Sequence, residues 1–160
     1  MIQFQICSAK DFMSELLLKT TFDNYQCIEG EVITFCTFKI DGYHQEAYYE
    51  EGEEYSEYAP WSLLKAYCLS LIKGKKPPHS FKFVFRLPQN ETARMLEKEG
   101  LKFRLDDIQG VYINLRFEGK QLLCTSGTAT KTFSLDKSLE QAWDKEVLKL
   151  FDNLEIDYKM

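Results

Sequence analysis

Phe81, Phe83 and Phe85 alternate with Lys82, Val84 and Arg86, and the same period of two returns later in the chain. It recurs in Leu101, Phe103, Leu105, then in Val111, Ile113, Leu115, Phe117, then in Leu122 and Cys124. Alternation of this kind marks a strand with one buried face. The last three runs are separated by turn-sized intervals, at Asp106-Asp107 and Glu118-Gly119, with a further turn expected at Ser126-Gly127. Parallel strands need a crossover of a dozen or more residues, so these runs must pair as antiparallel neighbours. The expected class is α+β: a mostly antiparallel sheet of about six to seven strands, a long C-terminal helix packed across it, and two to three further helices.

The helices are legible from a different period. Leu139, Trp143, Val147, Leu150, Phe151 and Leu154 recur at helical spacing, after a start at Asp136 or at Ser138 with Gln141 completing a capping box. Ser8, with Asp11 three residues on, caps a helix over residues 9 to 18, after a strand at Met1 to Cys7. Pro60 suits the first turn of a helix that runs to about Lys73 and stops at Gly74. Its stripe, Trp61, Leu64, Tyr67, Cys68, Leu71 and Ile72, is widened by Leu63 and Leu69, which predicts burial on most sides. Asn90 is expected to cap a short helix closed by Gly100.

A long strand is expected near residues 26 to 40, followed by a two-residue hairpin turn at Asp41-Gly42. That register pairs Ile40 with Tyr43, Lys39 with His44 and Cys36 with Ala47. It places Cys36, Ala47, Phe38 and Tyr43 inside, and gathers Ile33, Phe35 and Tyr48 on the opposite face.

A chain of 160 residues, 44% hydrophobic and 28% charged, reads as one globular domain over 1–160 that needs no disulfide or metal staple. A formal charge of -5 argues against a general nucleic-acid binder. No run approaches a membrane span, and Met1 to Asp11 lacks the layout of a secretory signal, which favours the cytoplasm and no membrane partner. Cys7, Cys27, Cys36, Cys68 and Cys124 are scattered and read as reduced core thiols. With two histidines, His44 and His79, no zinc spacing arises, and neither meets a nucleophile in the expected register. Asp106-Asp107, adjacent in sequence, gives no acid-base dyad. The expectation is therefore no catalytic residue, no metal and no cofactor.

Charge is the most uneven property. Asp41, Glu46, Glu50, Glu51, Glu53, Glu54 and Glu57 fall within Ile40 to Leu64, which holds no Lys or Arg. Lys65, Lys73, Lys75, Lys76, Lys82 and Arg86 fall within Lys65 to Asn90, which holds no acid. The acidic block carries Tyr48, Tyr49, Tyr55 and Tyr58, a composition suited to partner binding and equally to a solvated loop; its spacing around Gly52 fits no EF-hand. Phe35, Tyr48, Glu50, Glu51, Glu53, Glu54 and Tyr55 are the candidate partner-binding residues. Lys73, Lys75 and Lys76, with Thr125, Ser126 and Thr128, are the candidate anion-binding residues. The lysines also suit the negative end of a helix dipole, and the threonines suit a strand.

The run Gly110 to Phe117, Cys124-Thr-Ser-Gly-Thr, and Phe133 to Asp144 resemble a family of small uncharacterised proteins from Gram-positive anaerobic bacteria. The segments at Thr21, at Thr34 to Gly42 and at Leu71 to Lys82 fit it too. The resemblance implies a soluble bacterial protein and assigns no site residue. Two functions stay open. One is a non-enzymatic interaction module that binds a protein partner or itself, and the other is a small-molecule or anion-binding domain with a pocket between the sheet and the C-terminal helix.

Overall fold

A computed structural model describes residues 1–160. The strands are β1 (Gln3–Ile6), β2 (Gln26–Ile33), β3 (Thr37–Asp41), β4 (Ser80–Arg86), β5 (Ile108–Glu118), β6 (Gln121–Thr130) and β7 (Tyr158–Lys159). They form one sheet in the order β3-β2-β4-β5-β6-β1-β7. Every pairing is antiparallel. The helices are α1 (Ala9–Leu17), α2 (Trp61–Ile72), α3 (Gln89–Lys98) and α4 (Ser138–Asn153).

One face of the sheet carries the core. Phe81, Phe83 and Phe85 of β4 stand opposite Phe117, Leu115 and Ile113 of β5, as their alternation requires. Trp61 of α2 packs edge-on against Phe83 and Phe85, at 5.2 and 5.0 Å between ring centroids, and its Nε1 donates to the Leu16 carbonyl at 2.7 Å. Phe12 of α1 stacks on Phe151 of α4 at 5.5 Å, and Phe151 meets Phe4 of β1 at 5.0 Å. Trp143 of α4 is buried and donates from Nε1 to the Tyr112 carbonyl at 2.8 Å. The expected C-terminal helix is thus in place across the sheet. No helix is long and apolar enough to cross a membrane.

The structure corrects five sequence expectations, the first being the hairpin register with its turn. The hairpin between β2 and β3 turns at Thr34–Cys36, pairing Ile33 with Thr37 and Gly30 with Ile40, so one long strand to residue 40 does not form. Asp41-Gly42 is not a turn; Gly42 is where the chain passes so close to β2 that a Cβ would lie 1.7 Å from the Cys27 carbonyl oxygen. The pair with φ above zero that a two-residue hairpin needs is Gly119-Lys120, at 60° and 67°. In consequence Cys36, Ala47 and Tyr43 are exposed instead of inside.

Ser126-Gly127 also fails to turn: β6 runs straight through it, paired with β5. Leu101, Phe103 and Leu105 bury their side chains partly but form no strand, because both edges of β5 are already taken by β4 and β6. Finally, α2 exposes Leu63 and Tyr67, since the helices form a single layer and nothing lies outside it. Cys7 and Cys36 are exposed, leaving Cys27, Cys68 and Cys124 as the core thiols.

Candidate functional site

The second face of the sheet bears no helix. It presents Glu29 and Glu31 of β2, Lys39 and Asp41 of β3, Lys82 and Arg86 of β4, and Tyr112 and Asn114 of β5. Antiparallel sheets commonly solvate one face, so open polar residues here are ordinary. Arg86 is not: it lies on the open face, yet its side chain is only 6% exposed.

Three features bury it. Two β-bulges flank the end of β4, one in β2 between Cys27 and Glu29, the other in β5 between Ile108 and Gly110. The bulged residues, Ile28 and Gln109, both line the cleft around Arg86, as bulges that re-aim side chains at sites do. Gly110 leaves room for the arginine stem, since a Cβ there would come within 2.6 Å of Arg86 Cδ. The Tyr58 ring then covers the guanidinium, 5.0 Å from its centroid.

The partners of this cation are mostly neutral. Nε and Nη2 both donate to Gln26 Oε1, at 2.9 and 2.6 Å. Nη2 also reaches Glu57 Oε2 at 3.5 Å, but Glu57 is 56% exposed. Burial raises the Tyr112 phenol above its usual pKa, and Arg86 beside it opposes that shift. The cleft encloses ≈ 500 Å³ and adds Lys131 and Asp106 at its rim.

The acidic segment joins this cleft through Glu57 and Tyr58 and is held by its aromatic residues. Tyr49 stacks on Tyr55 at 4.1 Å, and His44 stands edge-on to both, at 5.1 and 5.6 Å. His44 Nδ1 bonds the Ser56 carbonyl, its backbone N–H donates to the Glu57 carbonyl at 3.0 Å, and Tyr43 bridges Tyr58. Glu50, Glu51, Glu53 and Glu54 project from this cluster, exposed and without an ion-pair partner.

The other candidate residues lie apart. Lys73, Lys75 and Lys76 are exposed in the connector before β4, whose His79 N–H donates to the Ile33 carbonyl at 2.8 Å. The connector thus meets β2 at Ile33, and the acidic segment leaves beside Ile28, where Gly42 N–H donates to its carbonyl. The two charge blocks lie at opposite ends of β2, about 17 Å apart along the strand between Ile28 and Ile33. Phe35, 91% exposed, is at the hairpin tip near the basic end, whereas Tyr48, 84% exposed, belongs to the acidic end, so the expected shared face does not exist.

Thr125, Ser126 and Thr128 do not converge either. Strand alternation sends Thr125 to the open face and Ser126 to the core, where its hydroxyl donates to Asp144 and accepts from the Ile2 N–H at 2.9 Å. Between β6 and the start of α4 lies a recess of ≈ 200 Å³ that includes Thr128. That is below the size of an ordinary small-molecule pocket. Neither histidine bonds a serine, threonine or cysteine side chain, and no three His, Cys, Asp or Glu side chains group as metal ligands. Arg86, Gln26, Glu57 and Tyr112 escaped the sequence reading because one arginine ending a strand carries no signal of burial.

A two-layer α+β fold, a sheet with helices on one face only, with a buried arginine in the open face and an acidic aromatic rim, is the class these features define. Residues 15–159 match a family of unknown function, DUF5721, and the chain belongs to it. No curated protein and no solved structure matches the chain.

Proposed function

We propose that the protein is a non-enzymatic interaction module that pairs with a second copy of itself along β3. One observation carries this reading: β3 ends the sheet, and its outward backbone groups bond to nothing in the chain. Such an edge is a template for strand addition. The opposite edge, β7, has only two residues and offers much less.

The side chains favour self-pairing. Lys39 and Asp41 lie two residues apart on the open face. In an antiparallel pair centred on Ile40, each Lys39 faces the second copy's Asp41, giving two cross-strand ion pairs about one two-fold axis. The same register carries the hairpin tip, with Phe35 and the Lys73 to Lys76 connector, toward the second copy's acidic segment with Tyr48, Glu50, Glu51, Glu53, Glu54 and Tyr55. Charges that have no partner within one chain then meet between chains.

The test is sedimentation velocity across concentration and salt. A dimer that weakens as salt rises is expected, because screening acts on exposed pairs. Lys39→Asp and Asp41→Lys should each give monomers, and the double swap should restore the dimer. A native chain that stays monomeric, or a dimer indifferent to either substitution, overturns the reading.

A further inference from the structure

We infer that the cleft at Arg86 binds a small oxyanion, a carboxylate or phosphate group that docks on the guanidinium between Tyr58 and Tyr112. This is independent of any pairing along β3.

A buried cation is costly unless charge compensates it. Arg86 has a neutral amide as its main acceptor, the neutral Tyr112 phenol beside it, and one long contact to a mostly exposed carboxylate. Its hydrogen bonds run from Nε and Nη2, and Nη1 makes none. A guanidinium presents paired donors whose spacing matches a carboxylate or phosphate, so an oxyanion in the cleft supplies the missing partner. Lys131, which forms no ion pair, stands at the rim to meet the same charge. Glu57 and Asp106 line the cleft as well; Asp106 lies 4.0 Å from Arg104, and Glu57 is the carboxylate an incoming anion displaces. The surroundings are shaped for the arginine rather than merely tolerant of it. Two bulges, a glycine and a tyrosine lid from three different segments all bear on this one side chain.

The experiment follows the Arg86 Nε–H signal by nuclear magnetic resonance during titration with inorganic phosphate and, separately, with acetate, each against sodium chloride at equal ionic strength. Saturable shifts with phosphate or acetate, absent with chloride, are expected. Shifts with both mark a general oxyanion site, and shifts with phosphate alone mark a phosphate site. Glu57→Gln, at an exposed position, should tighten binding about five-fold, the order of one partly screened charge, and Lys131→Gln should weaken it by a similar factor. Arg86→Gln should abolish it; if that variant does not fold, the other two still decide. No saturable shift in either the native chain or Glu57→Gln, or affinities that neither rim substitution moves, overturns the proposal.

Discussion

Gly110 and Arg86 are fitted to each other: the arginine stem occupies the space a Cβ at position 110 would need, 2.6 Å from Cδ and 3.0 Å from Cγ. Gly110→Ala must therefore displace the buried arginine, at about 1 to 3 kcal/mol of stability. Gly127 is the control, because a Cβ there meets nothing nearer than 3.9 Å. Gly127→Ala should change stability by less than about 0.5 kcal/mol or raise it. Urea unfolding of both variants checks this, and equal losses would refute the fit.

Trp143 anchors α4 to the sheet through its ring and through the bond from Nε1 to the Tyr112 carbonyl. Trp143→Ala should cost about 3 to 5 kcal/mol. Trp143→Phe keeps most of the packing and loses the indole bond, which adds about 0.5 to 1.5 kcal/mol to the smaller packing loss because that carbonyl stays in the β5–β6 ladder opposite Gly127. A loss below ~1 kcal/mol for the alanine variant would contradict the placement of the helix.

The thiols divide by position. Cys7 and Cys36 should react with Ellman's reagent in the native protein, while Cys27, Cys68 and Cys124 should react only after unfolding. Burial pushes Cys27 and Cys68 up to about 12 and raises Cys124 as well. A raised folded pKa means that the unfolded chain loses its thiol protons first. Stability is thus unaffected below the unfolded thiol value, about 8.5, and falls as pH rises from there toward 12. Denaturation midpoints measured from pH 8 to 11 should decline, and less steeply in Cys27→Ala once its own packing loss is subtracted.

Glu15 gives the opposite limb. Hydrogen bonds from Lys19 at 2.7 Å and Thr21 at 2.6 Å hold its carboxyl below the usual value. Its contribution is present above the unfolded carboxyl pKa and is lost as pH falls through the folded one. Glu15→Gln should lower stability at neutral pH and flatten the decline below pH about 4.5. Equal slopes for the two proteins would remove Glu15 from the acid response.

The sequence by itself determined which segments are helix and which are strand wherever a side-chain period ran long enough. Trp143, Val147 and Phe151 declared α4, and Phe81, Phe83 and Phe85 declared β4, because period and burial are the same fact for an element with one buried face. Ser8 declared the start of α1, since its hydroxyl accepts from the Asp11 N–H at 3.3 Å. Only the tertiary structure decided the pairings. Asp41-Gly42 has the chemistry of a hairpin turn, but packing Val32 and Ile40 on the helix side sets the turn at Thr34–Cys36 and gives Gly42 another role, close passage beside Cys27. The block of acids and the block of bases were plain in the sequence, while their separation along β2 was not, because distance depends on the path of the chain between them. The same holds for Arg86. Its burial arises from Gln26, Tyr58 and Gly110, residues 24 to 60 positions away that no local pattern links, so the site exists only once the sheet has closed around it.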